Sequence, residues 1–279
     1  MQKNKEDFNE LLQNGIKALY NLDYQQAREL LERAIKIDPE SVNAWHNLAK
    51  AYSELKLNSL AIECYKKVVE LEDAPINYYN LACEYFNINE IDDAIKFFEE
   101  AIKLNPNYAL AYDGLASSYG NKDDFEKAIE NYKKAHELDP DNARYLSNLG
   151  WAYASTGEYE LSILYLKEGL EINSHYGDAL HNLGFAYYFL GEYEQAIEEF
   201  QKAVDLGLAN SDLYVNMAYA YEELKELDKA NECFKQAAEL DNNNVDFLFL
   251  YGQSLHELGK IKEAIDIFNK ILKLKPQNI

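Results

Sequence analysis

The stretch GDALHNLGFAYYFLGEYEQAIEEFQKAVDLGLAN, residues 177–210, decides the fold. Leu180, Leu183, Gly184 and Tyr187 fall at spacings of three, one and three, and Ala196, Phe200 and Ala203 at four and three. Such spacings put side chains on one face of a helix, so each half reads as a short amphipathic helix. Gly191 stands between the halves, where a left-handed cap ends a helix most easily. The stretch is therefore two antiparallel helices joined by a tight turn. The pattern recurs about every 34 residues in both directions, a period that marks a solenoid of stacked helical hairpins.

Working outward from this stretch, a polar lead-in (1–7) precedes eight repeats: 8–41, 42–74, 75–108, 109–142, 143–176, 177–210, 211–244 and 245–278. The second is one residue short in its closing loop. In the first, Asn14 replaces the usual Leu, as in a terminal repeat with one face in water. Two positions in each repeat carry small residues. The eighth holds Gly15, Ala49, Ala82, Ala116, Gly150, Gly184, Ala218 and Gly252. The twentieth holds Ala27, Ala61, Ala94, Ala128, Ser162, Ala196, Ala230 and Ala264. Small residues there let the paired helices cross closely. Gly157, Gly191 and Gly259 follow first helices, and Pro39, Pro106, Pro140 and Pro276 follow second helices.

In the second repeat Trp45, Leu48, Ala49, Tyr52, Ala61 and Tyr65 stand in the spacing W-x2-L-G-x2-Y followed by A-x3-F. This arrangement, repeated in register along nearly the whole chain, resembles the tetratricopeptide repeat. The resemblance implies an all-α fold: a right-handed superhelical α-solenoid of tandem antiparallel helix pairs, whose first helices line a concave groove. It implies no single function, because one fold hosts many. Tyr52, Tyr85, Tyr119, Tyr153, Tyr187 and Tyr221 share one consensus position, so they are expected to be packing residues.

Asp and Glu number 49 against 27 Lys and Arg, a net charge of -22. That field repels phosphate backbones and disfavours nucleic acid or an anionic membrane as partner. No apolar run approaches a membrane span, and MQKNKEDFNE lacks the apolar core of a secretory signal. Cys64, Cys83 and Cys233 are widely spaced and form no metal motif, which fits reduced thiols in the cytoplasm. No phosphate-binding loop, dinucleotide fingerprint, zinc-protease or nucleophile-elbow motif is present. His46, His136, His175, His181 and His256 have no motif partner. The sequence thus predicts neither an enzyme nor a cofactor or metal site.

The resemblance places positions two, five, six, nine and twelve or thirteen of each repeat in the groove. Position six carries Asn47, Asn80, Asn148, Asn182 and Asn216, interrupted by Gln13, Gly114 and Leu250. An amide offers two donors and an acceptor, which suits an extended peptide backbone. Position nine carries Trp151, Phe185 and Tyr219 in successive repeats, the aromatic content of a binding hot spot. Position two runs from Arg144 to Asp178, Asp212 and Asp246, and with Glu222 and Glu257 predicts a negative C-terminal half of the groove. The clamp that holds chaperone C-terminal carboxylates in this family is not matched: the second and third repeats offer His46, Asn47, Lys50, Ile76 and Asn80, and Arg144 lacks its partners. The expectation is a non-catalytic adaptor binding an extended segment of another protein, with apolar and basic side chains. A second expectation is a scaffold that self-associates through the apolar last helix, carrying Ile261, Ile265, Ile267, Phe268, Ile271, Leu272 and Leu274. A third is the recruiting arm of a larger enzyme or assembly machine.

Overall fold

The computed structural model describes the backbone of residues 2–274 and the side chains of residues 7–274. All regular structure among the described residues is helical. In chain order the helices are α1 (Gln2–Tyr20), α2 (Tyr24–Ile37), α3 (Val42–Glu54), α4 (Asn58–Leu71), α5 (Pro75–Asn87), α6 (Ile91–Leu104), α7 (Ala109–Asn121) and α8 (Phe125–Leu138). They continue as α9 (Ala143–Ser155), α10 (Tyr159–Ile172), α11 (Gly177–Phe189), α12 (Tyr193–Asp205), α13 (Ser211–Glu223), α14 (Leu227–Leu240), α15 (Val245–Glu257) and α16 (Ile261–Leu274). From Gln2 onward the segment read as a lead-in is part of α1. Pro276 lies outside the described residues. The chain forms two compact units, Met1–Asp139 with α1–α8 and Pro140–Ile279 with α9–α16.

Within each unit every first helix packs on the second helix of its own repeat, and that helix packs on the first helix of the next. The turn inside each pair places one residue at positive φ: Leu22, Lys56, Asn89, Asp123, Gly157, Gly191, Lys225 and Gly259. In the sixth repeat Gly191 N–H donates to the Tyr188 carbonyl at 3.0 Å and Glu192 N–H to that of Tyr187 at 2.9 Å. This pair of bonds satisfies two carbonyls that the end of α11 would otherwise leave open. The closing loop of the second repeat is short because α5 begins directly on Pro75, whose fixed φ and missing N–H suit a first helical position. Side-chain caps set other starts: the Asn210 side chain accepts from Leu213 N–H at 2.8 Å, and Ser41 Oγ from Ala44 N–H at 3.2 Å.

The small-residue positions lie at the helix crossings. Ala27, Ala61, Ala94, Ala128, Ser162 and Ala196 are fully buried. A Cβ added at Gly184 would lie 2.6 Å from the Phe200 ring and 3.0 Å from the Ala196 carbonyl, so the crossing leaves room for hydrogen alone. Around it Leu166, Leu183, Phe200, Leu213 and Phe234 form the core of the second unit, as Leu31, Leu81 and Phe98 do in the first. The recurrent tyrosines pack as the periodicity predicts. Tyr85, Tyr153 and Tyr187 are buried, and Lys66, Lys127, Lys167 and Lys229 lie over the rings of Tyr85, Tyr119, Tyr187 and Tyr221.

Candidate functional site

In the second unit, α9, α11 and α13 are successive first helices, and α11 touches both of its neighbours. Residues one repeat apart therefore line up across them. Between them lies a cavity of about 410 Å³, lined by Trp151, Ala154 and Ser155 from α9, Tyr159 from α10, His181, Asn182 and Phe185 from α11, and Asn216 from α13. Of the residues singled out in the sequence, it brings together Asn182, Asn216, Trp151 and Phe185. Asn148, half-buried, and Arg144, exposed, lie on α9 outside the lining, as do the exposed Asp178 and Asp212 on α11 and α13. Tyr219 is also outside it; its half-buried ring meets Phe234 edge-on at 5.6 Å, turned toward the core.

His181 joins two repeats. Its Nε2 lies 3.0 Å from Asn216 Nδ2, which can only donate, so Nε2 accepts and the ring proton sits on Nδ1. The imidazole ring also meets that of Phe200 at 5.8 Å. Burial lowers the His181 pKa below its ordinary value, while Asp178 and Asp212 pull it the other way. The neutral form is thus the one that the surroundings favour at pH 7. A neutral imidazole and two amides make a polar floor, and the bond to His181 leaves the Asn216 oxygen available as an acceptor.

One wall is aromatic. Phe185 meets Phe189 at 4.7 Å between ring centres, and Tyr159 stacks on Phe189 at 5.1 Å, almost parallel at 8°. Tyr188 meets Phe189 edge-on at 5.3 Å. Phe189 is 49% exposed and Trp151 37%, so both rings keep part of their surface open to solvent. Sequence reasoning did not single out Tyr159 and His181, which line the cavity, or Phe189, which packs on Tyr159 and Phe185. Phe189 and His181 stand at groove positions of the sixth repeat, a signal that was available. Tyr159 comes from a second helix, which the groove positions do not cover.

Beyond the cavity, on α13 and α15, Glu222 has its pKa raised by burial first, then by Glu257 and Glu223. These carboxylates are close enough to repel one another, so this end of the unit holds concentrated negative charge.

In the first unit Asn47 and Asn80 are half-buried on the first helices α3 and α5. Asn47 Nδ2 donates to the Asn43 carbonyl of its own helix at 2.8 Å. The break at Gly114 has a steric reason: a Cβ there would lie 2.4 Å from the Phe98 ring of α6. A small cavity of about 130 Å³ remains beside it, lined by Cys83, Phe86, Asn87, Phe98, Gly114 and Ser117. A wider one of about 610 Å³ lies between α1 and α2, lined by Asp7, Glu10, Leu11, Asn14, Leu30, Arg33, Lys36 and Ile37. It contains none of the groove residues.

The arrangement can bind, through amides, aromatic faces and charge. Among the described residues no group of three or more His, Cys, Asp or Glu side chains is placed to hold a metal ion. No described helix is long and apolar enough to cross a membrane. Burial raises the Cys64 thiol to about 12 and the Cys233 thiol to about 11, which keeps both protonated and unreactive.

Stacked helical hairpins with this small-residue code define a class of repeat protein that serves as a general protein-interaction module. Tetratricopeptide repeat family models match residues 12–82, 77–108, 117–157, 143–176 and 175–243, and one described as YpiA-like, C-terminal tetratricopeptide repeats matches 212–278. The chain belongs to the tetratricopeptide repeat family. It is 28% identical over 105 residues to the Hsp70-Hsp90 organising protein of Plasmodium falciparum, a match covering 37% of this chain and 42% of that protein. The chain spans less than half the length of the curated relatives that it matches. Among solved structures, the MamA protein is 32% identical with a TM-score of 0.56, over 61% of this chain and 93% of that one. A tetratricopeptide repeat protein of Parabacteroides merdae is 16% identical with a TM-score of 0.74, over 90% and 99% of the two chains. The latter likeness is one of fold alone.

Proposed function

We propose that the chain is an adaptor that binds an extended segment of another protein along the first helices α9, α11 and α13. The carrying observation is the cavity that sets the amides of Asn182 and Asn216 beside Trp151 and Phe185. Amides repeated at the spacing of the helices meet the N–H and C=O groups of an extended backbone without regard to its sequence. The aromatics supply apolar anchor sites. Asn148 continues the amide row on α9, and Asp178 and Asp212 favour a segment with basic residues. Asn47, whose Nδ2 is held by its own helix, and Asn80 are a further backbone contact in the first unit.

The test is capture from native lysate with the wild type and with Asn182→Ala combined with Asn216→Ala, both checked for helicity by circular dichroism. A partner captured only by the wild type supports the reading. The same partners on both sink it.

A second reading rests on α16. Ala264 is its one buried side chain, while Ile261, Ile265 and Leu272 are each about half exposed. That face suits association with a second copy of the chain. Sedimentation of the wild type and of Ile265→Glu at high concentration decides: a larger species lost in the variant supports it, and a monomer in both removes it.

A further inference from the structure

The cavity between α9, α11 and α13 combines a polar floor, an aromatic wall and a negative field. Few side chains suit all three. An acidic one is repelled by Asp178 and Asp212, which already act on His181 from α11 and α13. A purely aliphatic one displaces water from the Asn182 amide and the Asn216 oxygen and leaves them unsatisfied. An ammonium group is a compact, strongly hydrated charge with no plane to stack. A guanidinium meets all three demands. Its plane stacks on aromatic faces, its N–H groups reach amide oxygens and its charge matches the field. At about 410 Å³ the cavity is near the small end of ligand pockets, which run from about 300 to 1,000 Å³. It holds one long side chain of a bound segment and not a folded element. Glu222, Glu223 and Glu257 extend the favourable field beyond it.

We infer that this cavity is an arginine-reading subsite, in which Trp151, Tyr159 and Phe185 flank the guanidinium and the Asn182 and Asn216 side-chain oxygens accept its N–H groups. The inference rests on the groove reading above and names the partner's anchoring residue.

The chain has two tryptophans, so Trp45→Phe leaves Trp151 as the single indole reporter. The probes are acetylated, amidated nonapeptides of alternating Ala and Ser with a central arginine, citrulline or norleucine. Citrulline keeps the shape of arginine and removes its charge. Binding is read from Trp151 fluorescence or from its indole N–H resonance. The arginine probe is expected to bind about tenfold tighter than either other probe. That preference should shrink to about threefold or less with Asp178→Asn combined with Asp212→Asn, a change that leaves the aromatic wall intact. Citrulline or norleucine binding as tightly as arginine, with binding still dependent on Asn182 and Asn216, overturns the arginine subsite and spares the groove. No probe binding, or binding that ignores Asn182→Ala with Asn216→Ala, overturns both.

Discussion

Leu22 sits in the left-handed region at φ 60°, as does Lys56, in the turn position that Gly157, Gly191 and Gly259 fill in other repeats. A β-carbon there clashes with its own backbone, at roughly 1–2 kcal/mol per residue. Leu22→Gly should therefore raise stability by about 0.5–1 kcal/mol, once the added freedom of the unfolded chain is subtracted. Gly191→Ala should lower it by about 1 kcal/mol, and from backbone conformation alone, since no neighbour lies within 4 Å of the new methyl. Urea midpoints moving in opposite directions check the pair. The three glycine turns were legible in the sequence. The turns at Leu22, Lys56, Asn89, Asp123 and Lys225 were less so, because the packing of the hairpin imposes the conformation on whatever residue stands there. His181 is the other case in which surroundings outweigh residue type. Its pKa is lowered by burial, so its proton is lost at a pH below the ordinary value of about 6.5. Between its folded and unfolded pKa values the unfolded chain binds more protons, so its contribution to stability is present above that window and is lost as the pH falls through it. NMR titration of the His181 ring should give a midpoint below the ordinary histidine value of about 6.5. A midpoint at or above that value would mean that Asp178 and Asp212 outweigh burial.

Paired helices cross where α11 offers Gly184 and α12 offers Ala196. The Ala196 side chain is fully buried, and the neighbouring Phe200 ring already fills the space over Gly184. Ala196→Leu adds three carbons where no void exists and should cost about 1–3 kcal/mol, read as a lower denaturation midpoint with an unchanged slope. The same packing rule accounts for the break in the asparagine row, because Phe98 of α6 occupies the place of any side chain at Gly114. From sequence the break is only an absence, since the obstacle lies 16 residues upstream on another helix. Helix pairs and their crossings were readable because each small residue recurs with the period of the repeat. The site was readable in part. Asn182, Asn216, Trp151 and Phe185 share the exposed stripe of first helices, which a 3.6-residue period specifies. Tyr159 joins them across the turn from α9 to α10, and Tyr219 leaves them to meet Phe234. Both depend on side-chain direction, which spacing leaves open.

For the molecule as a whole the dominant quantity is charge, -22 over 279 residues. Short-range ion pairs consume part of the positive charge: Lys202 meets Glu198 and Glu199, Lys134 meets Glu137, and Lys103 meets Glu100, all on second helices. Each such pair contributes little to stability. What they do is neutralise lysines locally, so that unpaired carboxylates shape the longer-ranged field. Asp178 and Asp212 are exposed, and their attraction for a basic segment is open to screening. Amide contacts and aromatic stacking in the cavity are short-ranged and hardly change with salt. The two contributions separate by ionic strength. Raising NaCl from about 0.05 to 0.5 M shortens the screening length from more than 10 Å to a few ångström. The affinity of a basic partner segment should fall by about tenfold over that range, mainly through slower association. In Asp178→Asn combined with Asp212→Asn, affinity at low salt should fall toward the high-salt value and its dependence on salt should flatten. Isothermal titration at the two salt concentrations gives both numbers. Equal affinities at both concentrations for the wild type would overturn the electrostatic part of the proposal, leaving Asp178 and Asp212 no share in the choice of partner.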